Sequence, residues 1–390
     1  MDEQLLHGHN DSVNCVALGS NGYVASGSDD NSIIIHSTSS NKVEYRADNV
    51  FANGVEGLCY LPNGSLVACG YDEGGNLKVF SPSLELVQTL VHDDWVTCVT
   101  LSPSGSHIAS CDVYGKVMIW SEPGEGGEWA RVQVLEDHTD WIYSVCFSPD
   151  GKQLATGGDD NLIKTYRFNE GSAILAHTLE GHTNDVNSLS FSPDCKFLCS
   201  GSVDESIKFW NPADGSLVKN IDQAHTGYVS SVSYSPNGRI LVSAGGYFDK
   251  TMKIWDAETF ELKHTFQQEF VTNQHTITAD SNFIVAANTD HTVRITPFRE
   301  YTRTALTPIL NLILHIVYKR DYVSFPKHSR RTPTHAHTIR LLGECVFNGG
   351  YDVTSVILSF LSPAHLPIQI TPTRWKSKRG GEGEGKKKSN

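Results

Sequence analysis

The stretch 181–210 reads GHTNDVNSLSFSPDCKFLCSGSVDESIKFW, and variants of it recur every 40 to 46 residues along the chain. The clearest other copies lie at 137–166 and 224–255. Within each copy, apolar and polar residues alternate over short runs, as they do in half-buried strands. A Ser-Pro-Asp-Gly type sequence between two runs supplies a tight turn, because Pro fixes φ and Gly or Asn accepts a positive φ. A fixed period of this length predicts a series of four-stranded units packed side by side.

With Gly-His near its start and Trp-Asp near its end, the repeat resembles that of the WD-repeat β-propeller family over about residues 1–298. The position of the terminal Trp marks seven copies, at His36, Phe80, Trp120, Tyr166, Trp210, Trp255 and Thr296. The resemblance implies an all-β fold, a seven-bladed propeller closed by the N-terminal segment 2–6, which would add the outer strand of the last blade. Closure would remove the exposed edge of an open array. The seventh copy, 271–297, is the weakest because it lacks Gly-His, Ser-Pro-Asp-Gly and the Trp.

The resemblance also implies an internal hydrogen-bond tetrad of His, Ser or Thr, Asp and Trp in each blade. The fifth and sixth copies have it whole, as His182, Ser200, Asp204 and Trp210, and as His225, Ser243, Asp249 and Trp255. The third copy has Tyr114 where the Asp is expected, and the second has Phe51 in place of the His. A His-Asp pair can serve catalysis, but recurrence once per blade favours a structural role, since a buried imidazole needs partners for both nitrogens.

No motif of catalysis, cofactor binding or metal binding is complete. The chain lacks a G-x-S-x-G nucleophile elbow and an H-E-x-x-H helix, and the run 380–387 has Lys387 where a P-loop needs Ser or Thr. Its nine cysteines are scattered without a C-x-x-C pair, which favours a reducing compartment over a disulfide framework. The acidic first residues do not resemble a signal peptide. We therefore expect a non-enzymatic protein of the cytoplasm, the nucleus or both, without a cofactor or metal.

Charge is divided unevenly between the repeats and the rest of the chain. Residues 1–300 hold 17 Lys and Arg against 39 Asp and Glu, whereas residues 301–390 hold 14 against 5. A propeller this acidic should repel a phosphate backbone, so direct binding of nucleic acid by the propeller is not expected. Basic segments of other proteins are the partners that its charge favours. The alternative is that the acidic residues only keep the surface soluble.

Residues 299–390 do not follow the repeat and form a second, basic segment. Its apolar stretches, 305–318 and 351–370, are short or interrupted by Pro, His and Asp, so we predict no membrane span. Three interpretations stay open for this segment: a disordered basic extension, an interaction segment, or out-of-frame or intron-derived sequence from a faulty gene model.

In WD-repeat propellers, partners commonly dock on the top face. The residues that flank the first apolar residue of each inner strand, and the residue before the tetrad Asp, point there. Mapped onto this chain, these positions predict a partner-binding surface of Trp95, Trp141, Tyr143, Tyr228, Phe248, Asp29, Glu56, Asp159 and Asp185. Trp and Tyr dominate binding hot spots because they bury much area and keep a polar group. Carboxylates beside them suit a Lys- or Arg-bearing peptide. The alternative is that Trp95 and Trp141 pack between neighbouring blades.

The sequence thus favours a protein-interaction scaffold within a multi-subunit complex. One alternative is a substrate receptor of a ubiquitin ligase. Such receptors often carry a basic residue two positions after the Asp of the Trp-Asp pair, where this chain has Glu258 and Ala213, which disfavours this alternative. Another is a ribosome or ribonucleoprotein assembly factor that acts through the basic segment.

Overall fold

The computed structural model describes residues 3–19, 22–72, 74–122 and 127–298. Within these ranges the regular elements are β-strands, grouped in seven antiparallel sheets of four strands each. The chain is therefore the seven-bladed propeller that the repeat predicts. The basic segment 299–390 lies outside the described residues.

The strands follow one another blade by blade along the chain. The first strand, β1 (Gln4–Leu6), belongs to blade seven. Blade one contains β2 (Val13–Leu18), β3 (Tyr23–Ser28), β4 (Ile33–Ser37) and β5 (Lys42–Ala47). Blade two contains β6 (Val55–Tyr60), β7 (Leu66–Gly70), β8 (Asn76–Phe80) and β9 (Leu86–Val91). Blade three contains β10 (Val96–Leu101), β11 (His107–Asp112), β12 (Val117–Ser121) and β13 (Ala130–Leu135).

The remaining blades repeat this order. Blade four contains β14 (Ile142–Phe147), β15 (Gln153–Gly158), β16 (Ile163–Asn169) and β17 (Ser172–Leu179). Blade five contains β18 (Val186–Phe191), β19 (Leu198–Ser202), β20 (Ile207–Trp210) and β21 (Leu217–Ile221). Blade six contains β22 (Val229–Tyr234), β23 (Ile240–Gly245), β24 (Thr251–Asp256) and β25 (Leu262–Gln267). Blade seven adds β26 (Thr272–Ile277), β27 (Phe283–Asn288) and β28 (Val293–Pro297) to β1.

The N-terminal strand closes the ring, as predicted. Strand β1 runs antiparallel to β28, with Leu6 opposite Val293. Leu6 is buried in the same apolar cluster as Val293. Glu3 adds an ion pair to Arg294, with 3.0 Å between Oε1 and Nη1. Blade seven thus gains its outer strand from the start of the chain, which covers the edge of β28.

Every inner strand carries a β-bulge at the residue after its first position. The seven bulged residues are Asn14, Glu56, Thr97, Tyr143, Asn187, Ser230 and Asn273. In several blades the bulged side chain reaches the next inner strand. Asn187 donates to the carbonyl of Val229 at 3.0 Å, and Ser230 donates to that of Thr272 at 2.7 Å. A bulge redirects a side chain, and here it turns one residue per blade toward its neighbour.

The fifth blade brings its four tetrad side chains together. Nδ1 of His182 lies 2.8 Å from the Asp204 carboxylate, and Nε2 lies 2.7 Å from Ser200 Oγ. Trp210 Nε1 donates to the same hydroxyl at 2.9 Å. Burial lowers the pKa of His182. Burial would raise the pKa of Asp204, but the hydrogen bonds from His182 and Ser206 hold it below its usual value.

The sixth blade repeats this arrangement. Nδ1 of His225 lies 2.9 Å from Asp249, and Nε2 lies 2.7 Å from Ser243 Oγ, to which Trp255 Nε1 donates at 2.8 Å. The similar geometry in two blades favours a structural role for these histidines.

The third blade corrects one prediction. The carboxylate beside its histidine is Asp112, not a residue at position 114: Asp112 Oδ2 lies 3.2 Å from Nδ1 of the buried His92, although the two atoms are not hydrogen-bonded. Tyr114 is instead 67% exposed. The Asp stands at the end of β11, only two residues after Ser110, and accepts the backbone N–H groups of Tyr114 and Lys116 at 2.9 Å each. The loop between β11 and β12 has the same length as in blades one, four and five, so Asp112 acts from the end of the strand while Tyr114 takes the usual position of the Asp.

The second blade replaces the missing histidine by a cation. Lys78 Nζ lies 4.4 Å from the centre of the Phe51 ring and 2.8 Å from Asp72 Oδ2. It also donates to the carbonyl of Val50 at 2.6 Å. Lys78, Phe51 and Asp72 therefore connect the same parts of blade two that the His-Asp pair connects in other blades.

Candidate functional site

The top face is the end of the propeller where the inner strands begin, and it carries two acidic groups. The first is formed by Asp29 and Glu56 on blades one and two. Asn14 joins them, since its Nδ2 donates to Asp29 Oδ1 at 2.7 Å and to Glu56 Oε1 at 3.3 Å. Burial, and then the charge of Asp29, raises the pKa of Glu56 to about 7. Gly54 makes room here, because a Cβ at this position would lie 3.0 Å from Asp29 Oδ1.

The second acidic group is formed by Asp159 and Asp185 on blades four and five, beside Tyr143. Burial, and then the hydrogen bond and charge of Asp185, raises the pKa of Asp159 to about 6. Burial and the same two carboxylates raise the pKa of Tyr143 to about 12. Two carboxyl groups that share a hydrogen bond resist ionising together.

The backbone fixes the aromatic residues beside the second group. The N–H of Asp159 donates to the carbonyl of Trp141 at 2.8 Å. Gly158 permits this approach, since a Cβ there would lie 2.1 Å from that carbonyl oxygen. The half-buried rings of Trp141 and Tyr143 lie with their centres 6.2 Å apart at 51°. Tyr143 stands at a bulged position, which explains why its ring is held here.

Trp95 of blade three lies against an aromatic residue that the sequence did not single out. Its ring centre is 5.2 Å from that of Tyr71 on blade two, and Trp95 remains 39% exposed. Burial, then the charges of Glu56, Cys69 and Tyr143, raises the pKa of Tyr71. Tyr71 is therefore within electrostatic reach of the first acidic group and of Tyr143, which lies beside the second. The alternative for Trp95 is packing between neighbouring blades. The contact with Tyr71 agrees with this alternative, but more than a third of Trp95 remains exposed.

A signal for Tyr71 was present in the sequence. Tyr71 directly precedes Asp72, the carboxylate that binds Lys78 in blade two. The position before the tetrad Asp is the one expected on the top face. It was missed because blade two lacks the histidine that would have marked Asp72 as its tetrad carboxylate.

Tyr228 and Phe248 lie on blade six, next to blade five, which carries Asp185. The ring of Tyr228 covers Gly246, where a Cβ would lie 2.1 Å from the ring. The N–H of Gly246 donates to the carbonyl of Tyr228 at 2.8 Å, as Asp159 does to Trp141 in blade four. Phe248 is two residues further along a longer loop and is 90% exposed.

We call the surface formed by Asp29, Glu56, Tyr71, Trp95, Trp141, Tyr143, Asp159 and Asp185 the acidic-aromatic patch. It extends over blades one to five, with a carboxylate group at each end and aromatic rings between them. Within the described ranges, no three His, Cys, Asp or Glu side chains are grouped so that they could hold a metal ion. The described part of the chain also contains no helix that is long and apolar enough to cross a membrane.

A family model described as "WD domain, G-beta repeat" matches residues 3–37, 84–121, 129–167, 174–211 and 215–256. Together with the seven blades, these matches show that the chain belongs to the WD-repeat β-propeller family. The inner strands of blades two and seven, β6 and β26, fall outside the matched segments. These two blades are also the ones in which the expected motif is weakest.

Three curated proteins illustrate the range of its relatives. The chain is 34% identical over 163 residues to COMPASS component SWD3 of Saccharomyces cerevisiae, covering 42% of this chain and 49% of that protein. It is 26% identical over 253 residues to the guanine nucleotide-binding protein subunit beta of Oryza sativa subsp. japonica, covering 62% and 50%. It is 25% identical over 207 residues to the ribosome biogenesis protein WDR12 homolog of Chlamydomonas reinhardtii, covering 46% of each.

The chain thus spans half or less of the length of these relatives. Two of them are, by name, parts of larger assemblies. The family and these relatives indicate a protein-interaction scaffold that acts in complexes, and they do not indicate an enzyme family.

Proposed function

We propose that the chain is a non-catalytic subunit that binds a basic segment of a partner protein on the acidic-aromatic patch. The observation that carries this proposal is the Asp159–Asp185 pair beside the rings of Trp141 and Tyr143. Holding two carboxylates together is unfavourable, which the raised pKa of Asp159 reflects. A Lys or Arg side chain placed between them relieves this repulsion, and the neighbouring rings offer apolar surface and cation-π contact.

The first acidic group supports the same proposal. Asn14 holds Asp29 and Glu56 together, and burial, with the charge of Asp29 added to it, raises the pKa of Glu56. Because Tyr71 and Trp95 lie between the two groups, the partner segment that fits best has two basic residues separated by apolar ones.

This proposal predicts that binding weakens on acidification. The pKa values of Glu56 and Asp159 are raised to about 7 and about 6, so both carboxylates lose their charge as the pH falls from 7.5 to 5.5. We expect the Kd of a Lys- and Arg-bearing peptide, selected from a synthetic array, to rise about tenfold over this range. Fluorescence anisotropy at constant ionic strength measures it.

Two variants test the assignment. Asp185→Asn removes one of the crowded carboxylates, so it should weaken binding at pH 7.5 and flatten the pH dependence. Asp194→Asn is the control, because Asp194 lies in the turn at the opposite end of blade five and pairs with Lys196 at 2.9 Å. Two results would contradict the proposal. Array peptides rich in Asp and Glu would bind better than basic ones, or the affinity would not change from pH 7.5 to 5.5.

Ribonucleoprotein assembly is the second candidate, favoured by the likeness to a ribosome biogenesis protein. On this alternative, the basic segment 299–390 contacts RNA while the propeller binds protein. Crosslinking of RNA to the full chain and to residues 1–298 distinguishes the two. RNA recovered only with the full chain supports assembly, and equal recovery removes this candidate. A cullin adaptor among co-purified proteins would instead favour the ubiquitin-ligase alternative.

A further inference from the structure

Two cysteines of blade three face each other across adjacent strands. Cys98 on β10 and Cys111 on β11 are direct register partners. Opposed residues of an antiparallel pair have Cα atoms about 4.5–5.5 Å apart, within the range of about 4.4–6.8 Å that a disulfide bridges. Cys111 Sγ lies 3.8 Å from the carbonyl oxygen of Cys98 and 3.6 Å from that of Ile142 on the next inner strand. Both are free thiols.

The position of Cys98 has a clear role in other blades. Ser144, Ser188 and Ser231 stand there in blades four, five and six, directly after the bulged residue. Each hydroxyl accepts a backbone N–H of the next inner strand, from Leu189 at 3.1 Å, Val232 at 3.0 Å and His275 at 3.3 Å. In blade three a sulfur atom occupies this acceptor position.

The two thiols have different surroundings, which shift their pKa values in opposite directions. The Cys111 thiol lowers the pKa of Cys98 despite its burial, and the N–H groups of Val145 and Val99 lower it further. Burial raises the pKa of Cys111. Amide donors at a sulfur favour the thiolate, which is the nucleophilic form. Cys98 is also partly exposed, whereas Cys111 is fully buried.

We propose that Cys98 and Cys111 form a reversible disulfide when the protein meets a peroxide. The Cys98 thiolate attacks one peroxide oxygen, the O–O bond breaks, and the products are a Cys98 sulfenic acid and hydroxide. The Cys111 sulfur then attacks the Cys98 sulfur, the S–O bond breaks, and the oxygen leaves as water with the thiol proton. Two thiols thus give two electrons to one hydrogen peroxide and yield one disulfide and two waters.

Peptide mapping after peroxide treatment tests the proposal on the full chain. Trypsin releases residues 79–116 as one peptide, which contains Cys98 and Cys111 and no other cysteine. Hydrogen peroxide should make this peptide lighter by two hydrogen atoms and resistant to alkylation, and dithiothreitol should reverse both effects.

The same digest contains a matched control. Peptide 47–78 holds Cys59 and Cys69 on adjacent strands of blade two, but the register sets Cys59 opposite Val67 and Cys69 opposite Gly57. These cysteines are therefore diagonal neighbours, with Cα atoms about 7–8 Å apart. We expect this peptide to stay fully alkylated at peroxide concentrations that oxidise peptide 79–116.

Two variants identify the nucleophile. In Cys111→Ser, the sulfenic acid has no resolving thiol, so dimedone should label Cys98. Cys98→Ser should abolish both the mass change and the labelling, and it should fold because serine is the residue that three other blades carry there. Full alkylation of peptide 79–116 after peroxide treatment, or oxidation of peptide 47–78 at the same rate, would overturn the proposal.

Discussion

Replacing Asp204 by alanine should lower the free energy of unfolding by about 3 kcal/mol, because it leaves several buried groups without partners. The carboxylate accepts hydrogen bonds from His182 at 2.8 Å, from Ser206 Oγ at 2.6 Å and from the N–H of Thr183 at 3.0 Å. These bonds hold the pKa of Asp204 below its usual value. Its contribution is therefore present above about pH 4, the pKa of an unfolded Asp, and is lost on acidification.

Thermal unfolding of wild type and variant at pH 7 measures this loss, which corresponds to a Tm lower by about 5–10 °C for a domain of this size. Asp194→Ala is the control in the same blade. The pKa of Asp194 is also lowered, to about 2, but its side chain is 53% exposed and its main partner is the exposed Lys196. Such a surface pair contributes at most about 1 kcal/mol. Equal losses in the two variants would mean that the tetrad does not stabilise the blade.

Replacing Trp141 by alanine should weaken partner binding at least about 30-fold, since removal of an aromatic hot-spot residue costs about 2 kcal/mol or more. The ring is half-buried beside Tyr143, and the backbone at this position is fixed by the hydrogen bond to Asp159 rather than by the side chain. We therefore expect the Tm to change by only about 2–4 °C.

Titration with the selected basic peptide gives the Kd, and calorimetry gives the Tm. The control is Tyr45→Ala, because Tyr45 on the outer strand β5 of blade one is 43% exposed and lies outside the acidic-aromatic patch. Unchanged affinity with Trp141→Ala would show that this ring only fills space at the blade edge. If Trp141→Ala lost binding because the protein unfolded, Trp141 would be a structural residue of blade four.

The repeat was sufficient to predict the blade count, the closing strand and the complete tetrads, because each depends on local spacing. Blade seven could be recognised through its neighbours even though it lacks Gly-His and Trp. Its strands form because alternating residues such as Ile284 and Ala286 pack against blade six, where Val242 and Ile254 complete the same apolar cluster. In blade seven, packing against the neighbouring blades of the closed ring compensates for the weak repeat motif.

Blades two and three show where spacing was not enough. In blade three the carboxylate beside His92 is Asp112 at the end of β11, although the loop that follows is as long as in blades one, four and five and Tyr114 takes the usual position of the Asp. In blade two Lys78 and Phe51 replace the histidine, so Tyr71 was not recognised on the top face. In both blades a carboxylate still lies beside a cationic or imidazole group, but not through the residues that the repeat predicts.

The pairing of the predicted carboxylates could not be predicted from one sequence. Glu56 is brought to Asp29 by an amide from Asn14, and Asp159 to Asp185 by the meeting of two blades. The bulge that turns Glu56 and Tyr143 toward their neighbours has no marker in the sequence, since the residue at this position differs in type from blade to blade.

We propose that the acidic-aromatic patch is the surface through which the scaffold binds its partners. Affinity purification with quantitative mass spectrometry, comparing wild type with a Trp95→Ala, Trp141→Ala and Tyr143→Ala triple variant of unchanged folding, tests it most directly. We expect one set of partners, those that carry basic segments, to disappear with the triple variant. An unchanged set of partners would exclude this role for the patch and would assign these aromatic residues a structural role.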